Sequence, residues 1–493
     1  MLKPLTMDTD NGGTMQKVDV QARSIRDLAR IVEPGRLSQL VDGSAAAVRD
    51  ALSGRGIVNV SSTAQGGGVA EMLHVLLPYT RGVDIDASWF VIDGDPEFFE
   101  ITKRIHHRLH GRPGDGGPLG PEQAAHLAEI ALANAEELAA NVVAGDVVLL
   151  HDPQPAALAP LMANWGVPLV WRCHIGTENG TEYSAEVWEF LRPFLEPYID
   201  AYVFTRQAYV PDWVPKERLH VIHPAIDPLA PKNREISTAD AKDVLRYVGI
   251  IDGAPGNPVS FTRSDGTPGR VLHYADMIRS GPPPAPGQPL ITQISRWDPL
   301  KDFSGVMHGF VEYVMDGNEA HLVLAGPVVT SVADDPEAAQ VLDAVRDEWM
   351  NLPHAARSRV QLVCLPMSDA DENGIIVNAL QRYADVVVQK SLAEGFGLTV
   401  AEAMFKGKAV VGSRVGGIQD QITDGVNGLL VEATDLAAFG GAVSRLLEDP
   451  QLSRDMGQRA AETVIEQFLP DSSLSDWSDV VLAALAARGL VRA

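Results

Sequence analysis

Two runs of alternating strand and helix signals, parted by a stretch rich in glycine and proline, constrain this chain more than any other feature. In the first run, IVNVSS (57–62), SWFVID (88–93), DVVLLH (146–151), PLVWRCH (168–174) and AYVFT (201–205) read as buried strands. Between them Val69, Met72, Leu73, Leu76 and Leu77 recur at helical spacing, and the alanine-rich run 121–144 keeps its apolar residues on one face. In the second run, PLITQIS (289–295), HLVLAG (321–326), VQLVCL (360–365), DVVVQ (385–389) and KAVVGS (408–413) repeat the pattern. Strands alternating with helices imply a parallel sheet covered on both faces. The expected fold class is therefore α/β, with two doubly wound, Rossmann-like units in tandem. In such units ligands bind beyond the C-terminal ends of the strands, so two of them facing each other would enclose a deep cleft.

The expected boundaries are a first unit over 1–235, an insertion and linker over 236–288, a second unit over 289–470, and a C-terminal helix over 471–493 that packs back on the first unit. Residues 1–18 are polar and expected to be loosely ordered. Residues 252–289 carry GAPGNP and GPPPAPGQP and read as a surface insertion.

The formal net charge is −25. That surface repels phosphate backbones and anionic lipid, so neither nucleic acid nor membrane is expected as a partner. A site for an anionic substrate must then be locally basic. The two cysteines, Cys173 and Cys364, sit in apolar runs and read as buried thiols of a reducing compartment. The first residues lack an apolar signal core. No window approaches the roughly 18 uncharged apolar residues of a membrane span. A cytoplasmic location is expected.

The richest chemistry lies in SLAEGFGLTVAEAMFKG (391–407). A strand runs into a loop holding Gly395 and Gly397, and a helix begins near Thr399. Exposed N–H groups at a helix start suit a phosphate, and glycine lets it approach the backbone. Glu394 and Glu402 are eight residues apart, about 12 Å on one continuous helix, which exceeds the spacing of about 5–9.5 Å used by glycoside hydrolases. Two carboxylates holding different hydroxyls of one ligand is the better reading. Upstream, SRWDPLKD (295–302) presents Arg296 and Lys301 just after a strand. Fixed cations of this kind can stabilise charge on a departing diphosphate without a metal.

This segment resembles the E-x7-E motif of retaining family-4 glycosyltransferases, and the R-x4-K pattern resembles their diphosphate clamp. The resemblance implies a GT-B fold and a nucleotide-sugar donor. It assigns donor binding to Gly395, Phe396, Gly397, Leu398, Thr399 and Glu402, and catalytic roles to Arg296, Lys301 and Glu394. The loop SSTAQGGGVAEML (61–73) resembles the one that folds over the donor diphosphate, which implicates Gly67 and Gly68. Its spacing is not that of a dinucleotide fingerprint, which argues against NAD. GSRVGGIQDQITDGVNGLLV (412–431), with Gly416-Gly417, reads as structural.

GGGVAE, FFEITKRIHHRLHG (98–111), HDPQP (151–155), WRCHI (171–175), PAIDPL (224–229) and EGFGLTVAEAM together narrow the resemblance to trehalose glycosyltransferring synthases. It covers about residues 50–235 and 288–470. HDPQP and WRCHI end strands, so His151, Asp152, Gln154, Arg172 and His174 are expected to point into the cleft. The resemblance places His151, Asp152, Gln154, Arg172 and His106 on the acceptor and has His174 orient the sugars. It implies transfer of glucose from a nucleoside-diphosphate glucose to free glucose by front-face substitution with retention, giving α,α-trehalose. Two departures stand out: WRCHIGTENG replaces a shorter, Asp-containing continuation, and 252–285 is extra. No cofactor and no protein-bound metal are expected; Mg2+ is not required by the site and at most stimulates. A homodimer is left open. Three rivals stay open as well: a transferase with another acceptor, such as a sugar phosphate or natural-product hydroxyl; a nucleotide-sugar epimerase; and a non-catalytic nucleotide-sugar sensor. His106 and His110 stand at i,i+4, but no glutamate completes a zinc-protease arrangement.

Overall fold

A computed structural model describes residues 15–491 except 66, 255, 257 and 330–335. The chain divides into two units: 1–225 together with 470–493, and 226–469.

The strands of the first unit are β1 (Gln16–Val18), β2 (Ile57–Ser61), β3 (Ala87–Val91), β4 (Val147–His151), β5 (Leu169–Cys173), β6 (Ala201–Phe204) and β7 (Leu219–Val221). They form one sheet in the order β1-β3-β2-β4-β5-β6-β7, parallel throughout except for β1, which pairs antiparallel with β3. Its helices are α1 (Pro34–Ser38), α2 (Ala45–Leu52), α3 (Gly67–Gly82), α4 (Pro96–Leu109), α5 (Pro121–Leu138), α6 (Ala159–Met162) and α7 (Glu182–Leu195), joined by the C-terminal helix Pro470–Ala487. Helix starts follow local chemistry. Asp95 Oδ1 accepts from Phe98 N–H at 2.8 Å with Pro96 at the first helical position, and Thr181 with Ser184 forms a capping box for α7. β2, β4 and β5 are buried at every residue, as parallel strands covered on both faces must be.

The second unit opens with α8 (Thr238–Val248), stopped by Gly249 in a left-handed conformation. A hairpin of β8 (Ser260–Thr262) and β9 (Pro268–Arg270) follows. Then come β10 (Asp276–Ile278), β11 (Leu290–Ile294), α9 (Phe303–Tyr313), β12 (His321–Pro327), α10 (Pro336–Asn351), α11 (His354–Arg357), β13 (Val360–Leu365), α12 (Ala370–Tyr383) and β14 (Val386–Gln389). The remainder is α13 (Leu398–Phe405), β15 (Val410–Ser413), α14 (Ile418–Gln421), β16 (Gly428–Val431), α15 (Leu436–Glu448) and α16 (Pro450–Gln467); the C-terminal helix is α17. The sheet order is β10-β13-β12-β11-β14-β15-β16, parallel except for β10 against β13. Along β12, Leu322 and Leu324 belong to one buried cluster while Val323 and Ala325 belong to another. That alternation puts a core on each face of the sheet.

Two expectations need correction. The stretch over 252–289 is not only insertion and linker, because it supplies β10 to the second sheet, and 226–288 belongs to the second unit. Residues 16–18 are not loose but form β1; residues 1–14 lie outside the described residues. Both thiols are free and buried. Among the described residues no helix is long and apolar enough to cross a membrane.

Candidate active site

In the second unit β11 and β14 are parallel neighbours, so the loops that follow them emerge side by side. The loop after β11 carries Arg296 and Lys301. Trp297 anchors it: the indole is buried, lies 4.5 Å from the Phe303 ring and donates to the Pro327 carbonyl at 2.9 Å. Arg296 is left outside, its side chain 64% exposed, with Asp298 at 3.5 Å. Lys301 points the other way. Its Nζ is 2.6 Å from Glu394 Oε2, and both side chains are largely buried. Ser391 Oγ donates to the same carboxylate oxygen at 3.1 Å, and Leu392 N–H donates to the Leu300 carbonyl at 2.7 Å. The two loops are thus joined through side chains and backbone.

Behind the pair lies a polar row of which sequence reasoning named only Thr399. Gln389 Nε2 donates to Ser295 Oγ at 2.9 Å and Ser391 Oγ at 3.0 Å, while its Oε1 accepts from Thr399 Oγ1 at 3.1 Å. The signal was present: polar residues end otherwise apolar strand runs.

Gly397, in the loop after Glu394, meets a local demand. Gly397 has φ +87° and precedes Leu398, the first residue of α13. A side chain there would be strained and would crowd Glu394 Cγ at 3.2 Å. Phe396 is buried, its ring 5.4 Å from that of Phe468. Gln421 Nε2 donates to the Phe396 carbonyl at 2.6 Å and to Gly417 at 3.1 Å, which ties the loop to α14. Glu402 lies elsewhere. It is 1% exposed, and its Oε1 is 2.7 Å from Lys232 Nζ. Beside it the half-buried Lys406 donates to Asn233 at 2.9 Å, Gln381 at 2.8 Å and the Glu402 carbonyl at 3.0 Å. Burial holds that ammonium well below the usual lysine range.

In the first unit, a second cluster forms at the ends of β4, β5 and β6. His151 Nδ1 is 3.4 Å from His174 Nε2, and its Nε2 is 3.0 Å from Asn59 Oδ1. Arg172 Nε donates to His174 Nδ1 at 3.2 Å, Nη2 donates to the Ile222 carbonyl at 3.1 Å, and the guanidinium lies 5.2 Å from the Trp477 ring. Asp152, with φ +66°, accepts from His174 N–H at 2.7 Å. Burial, and then the Arg172 charge, lowers His151 to about 3 and His174 well below its usual range. Burial raises the Asp152 carboxyl to about 7 against the opposing pull of the His174 N–H and of Arg172. Burial also lowers Arg172 to about 10, so it remains the cluster's cation at neutral pH. Gln154 Oε1, Arg172 Nη1 and Thr205 Oγ1 are buried with no hydrogen-bond partner among the described residues. Thr205 was missed, although it directly follows β6 as Asp152 directly follows β4. His106 sits on α4, its ring 4.8 Å from that of His110. Gly67 and Gly68 open α3, with no described atom close to where a side chain would project.

These arrangements can be set against known proteins. A family described as trehalose synthase, N-terminal domain, matches residues 59–211, and one described as glycosyl transferases group 1 matches residues 276–463. A trehalose synthase of Rubrobacter xylanophilus is 33% identical over 464 residues, covering 94% of this chain and 97% of that one. The chain belongs to the trehalose synthase family. It is accordingly a hexosyltransferase of trehalose chemistry. Among solved structures, a UDP-forming α,α-trehalose-phosphate synthase of Burkholderia vietnamiensis is similar with a TM-score of 0.61 at 15% identity, covering 88% of this chain and 99% of that one. An Anabaena protein, Alr3699/HepE, solved with UDP-glucose, is similar with a TM-score of 0.58 at 15% identity, covering 87% and 99%. With the two sheets described above, these likenesses make the fold GT-B.

Proposed function

We propose that this family member moves glucose from a nucleoside-diphosphate glucose to free glucose with retention, forming α,α-trehalose. The observation that carries the reading is the match to a trehalose synthase along nearly the whole chain, including the first unit. The Lys301–Glu394 pair supports the donor half. A carboxylate held by Lys301 and Ser391 can accept hydroxyl hydrogens of a sugar. Arg296 and the Lys301 ammonium would meet the charge that grows on the departing diphosphate, so the reading needs neither a metal nor a cofactor. Gly395, Phe396, Gly397, Leu398 and Thr399 would bring backbone N–H groups to the phosphates at the start of α13. Glu402, buried against Lys232 through Oε1, would accept from the ribose hydroxyls.

The acceptor half rests on the first unit. Neutral imidazoles at His151 and His174, with the unpaired polar atoms of Gln154, Arg172 and Thr205, suit an uncharged sugar: each leaves a buried hydrogen-bonding group for a hydroxyl to satisfy. His174 would orient the acceptor. A uridine donor is supported by the UDP-glucose and UDP-forming descriptions of the two structural neighbours.

The test is incubation with UDP-, ADP- or GDP-glucose plus glucose, with products read by NMR. The α,α-linked disaccharide is expected; nucleotide release only with another acceptor would discard trehalose and keep the donor site. Glu394→Ala and Lys301→Ala should each lower turnover at least tenfold with the fold intact. Near-wild-type rates in either would sink the site assignment.

A further inference from the structure

One buried cation lies outside everything assigned above. Lys390 follows β14 directly, its side chain is 1% exposed, and its ammonium is paired with the carboxylate of Asp302. A buried ammonium is costly unless paired, and removing one partner leaves the other charge uncompensated. Such a pair needs a reason beyond stability, and its position supplies one.

Residue 390 holds Lys301 from both sides, through its ammonium on one and its backbone N–H on the other. Asp302 is the next residue in the chain and holds φ +47°, a conformation that non-glycine residues keep only where the surroundings dictate it. Its Oδ1 accepts from Gly305 N–H at 3.0 Å and caps α9, while Oδ2 faces Lys390. On the other side, Lys390 N–H donates to Gln293 Oε1 at 2.9 Å, and Gln293 Nε2 donates to the Lys301 carbonyl at 2.6 Å. The backbone of Lys301 is therefore fixed at its carbonyl and at the following residue. A lysine side chain has a flexible four-carbon stem and no fixed donor geometry. Holding its backbone is what allows its ammonium to meet Glu394 in one arrangement.

We propose that Lys390 is a positioning residue for sugar transfer: through the Asp302 carboxylate its ammonium sets Lys301, and through Lys301 the Glu394 carboxylate, without touching the donor. The inference rests on the reading that Lys301 and Glu394 act on the donor. Loss of Lys390 should therefore cost rate only while Lys301 is present.

A double-mutant cycle on the full chain tests this with UDP-glucose and glucose: Lys390→Met, Lys301→Ala and the two together, with kcat, donor KM and thermal midpoint measured for each. Lys390→Met is expected to lower kcat at least fivefold, and the double variant should lie within twofold of Lys301→Ala. A kcat for Lys390→Met within twofold of wild type overturns the proposal. So does an equal loss in both backgrounds, which is what a merely structural role would produce. If Lys390→Met does not fold, Asp302→Asn replaces it in the same cycle, since asparagine keeps the cap and removes the ionic partner; the same outcomes decide. Wild-type turnover in Lys301→Ala would instead sink the donor-site reading beneath the inference, and the inference with it.

Discussion

Gly417 shows how one missing side chain can shape a ligand loop. Its φ is −68°, which any residue adopts, so the requirement for glycine is one of space. A β-carbon there would lie 2.5 Å from Phe396 Cα and 2.9 Å from the Gly395 carbonyl oxygen. Both are backbone atoms and cannot rotate away. Gly417→Ala is expected to displace the 395–397 loop, raise donor KM at least fivefold and cost about 1–3 kcal/mol of stability. Steady-state kinetics and urea unfolding check both, and an unchanged KM would mean that the loop yields freely. At this scale the sequence was informative about residue types and silent about partners. Gly395, Gly397, Lys301 and Glu394 stood out by motif. That Lys301 and Glu394 touch each other, and that Glu402 faces Lys232, depends on chain segments 93 and 170 residues apart meeting (394 less 301; 402 less 232).

At the scale of elements, α17 follows the second unit in sequence but belongs to the first. It buries Leu474, Trp477, Val480, Val481, Ala484 and Leu485. Asp471 meets Arg36 at 2.5 Å near its start, and Arg488, just past its end, meets Asp200 at 2.8 Å. Each large apolar side chain withdrawn from water contributes about 1.5–3 kcal/mol, so five of them rival the whole stability of a typical domain, about 5–15 kcal/mol. Ending the chain at Leu469 should therefore unfold the first unit. In hydrogen exchange, amides of β2 and β4 should exchange freely in the shortened chain while those of β11 and β14 stay protected; full protection of β2 and β4 would show α17 to be dispensable. The long elements were legible because they carry strong periodicity. β1 and β10 were not, since three residues paired antiparallel at a sheet edge show no alternation and lie in polar or Gly/Pro-rich surroundings.

For the whole molecule, the first-unit cluster sets a pH dependence. His151, at about 3 in the fold, and His174, also lowered, bind protons more readily when unfolded, where they titrate near 6.5. Their contribution is present above pH 6.5 and is lost as pH falls. Asp152 works oppositely. Its carboxyl, at about 7, holds its proton more tightly when folded, so its contribution is present below about pH 4 and is lost as pH rises to about 7. Each group gives a slope of about 1.4 kcal/mol per pH unit where only one state is protonated. Two imidazoles outweigh one carboxyl, so the cluster's contribution to stability should fall on acidification from pH 6.5 to 4.5. Asp152→Asn should steepen that fall and His151→Gln should flatten it, as read from urea midpoints across the range. An unchanged slope in Asp152→Asn would mean that the carboxyl is already ionised in the fold.

The sequence by itself determined what local order and composition can encode. These are the two α/β series, the strand ends where chemistry gathers, the glycines of the 395–397 loop and the acidic net charge. Period and residue type suffice there, because parallel strands covered on both faces must be continuously apolar and their C-terminal ends must carry the polar exceptions. Only the tertiary structure decided which exceptions meet. The Lys301–Glu394 contact, the Gln389 row and the Lys390–Asp302 strut all join residues far apart in the chain. Their pairing is set by strand order and packing, and no local pattern carries strand order.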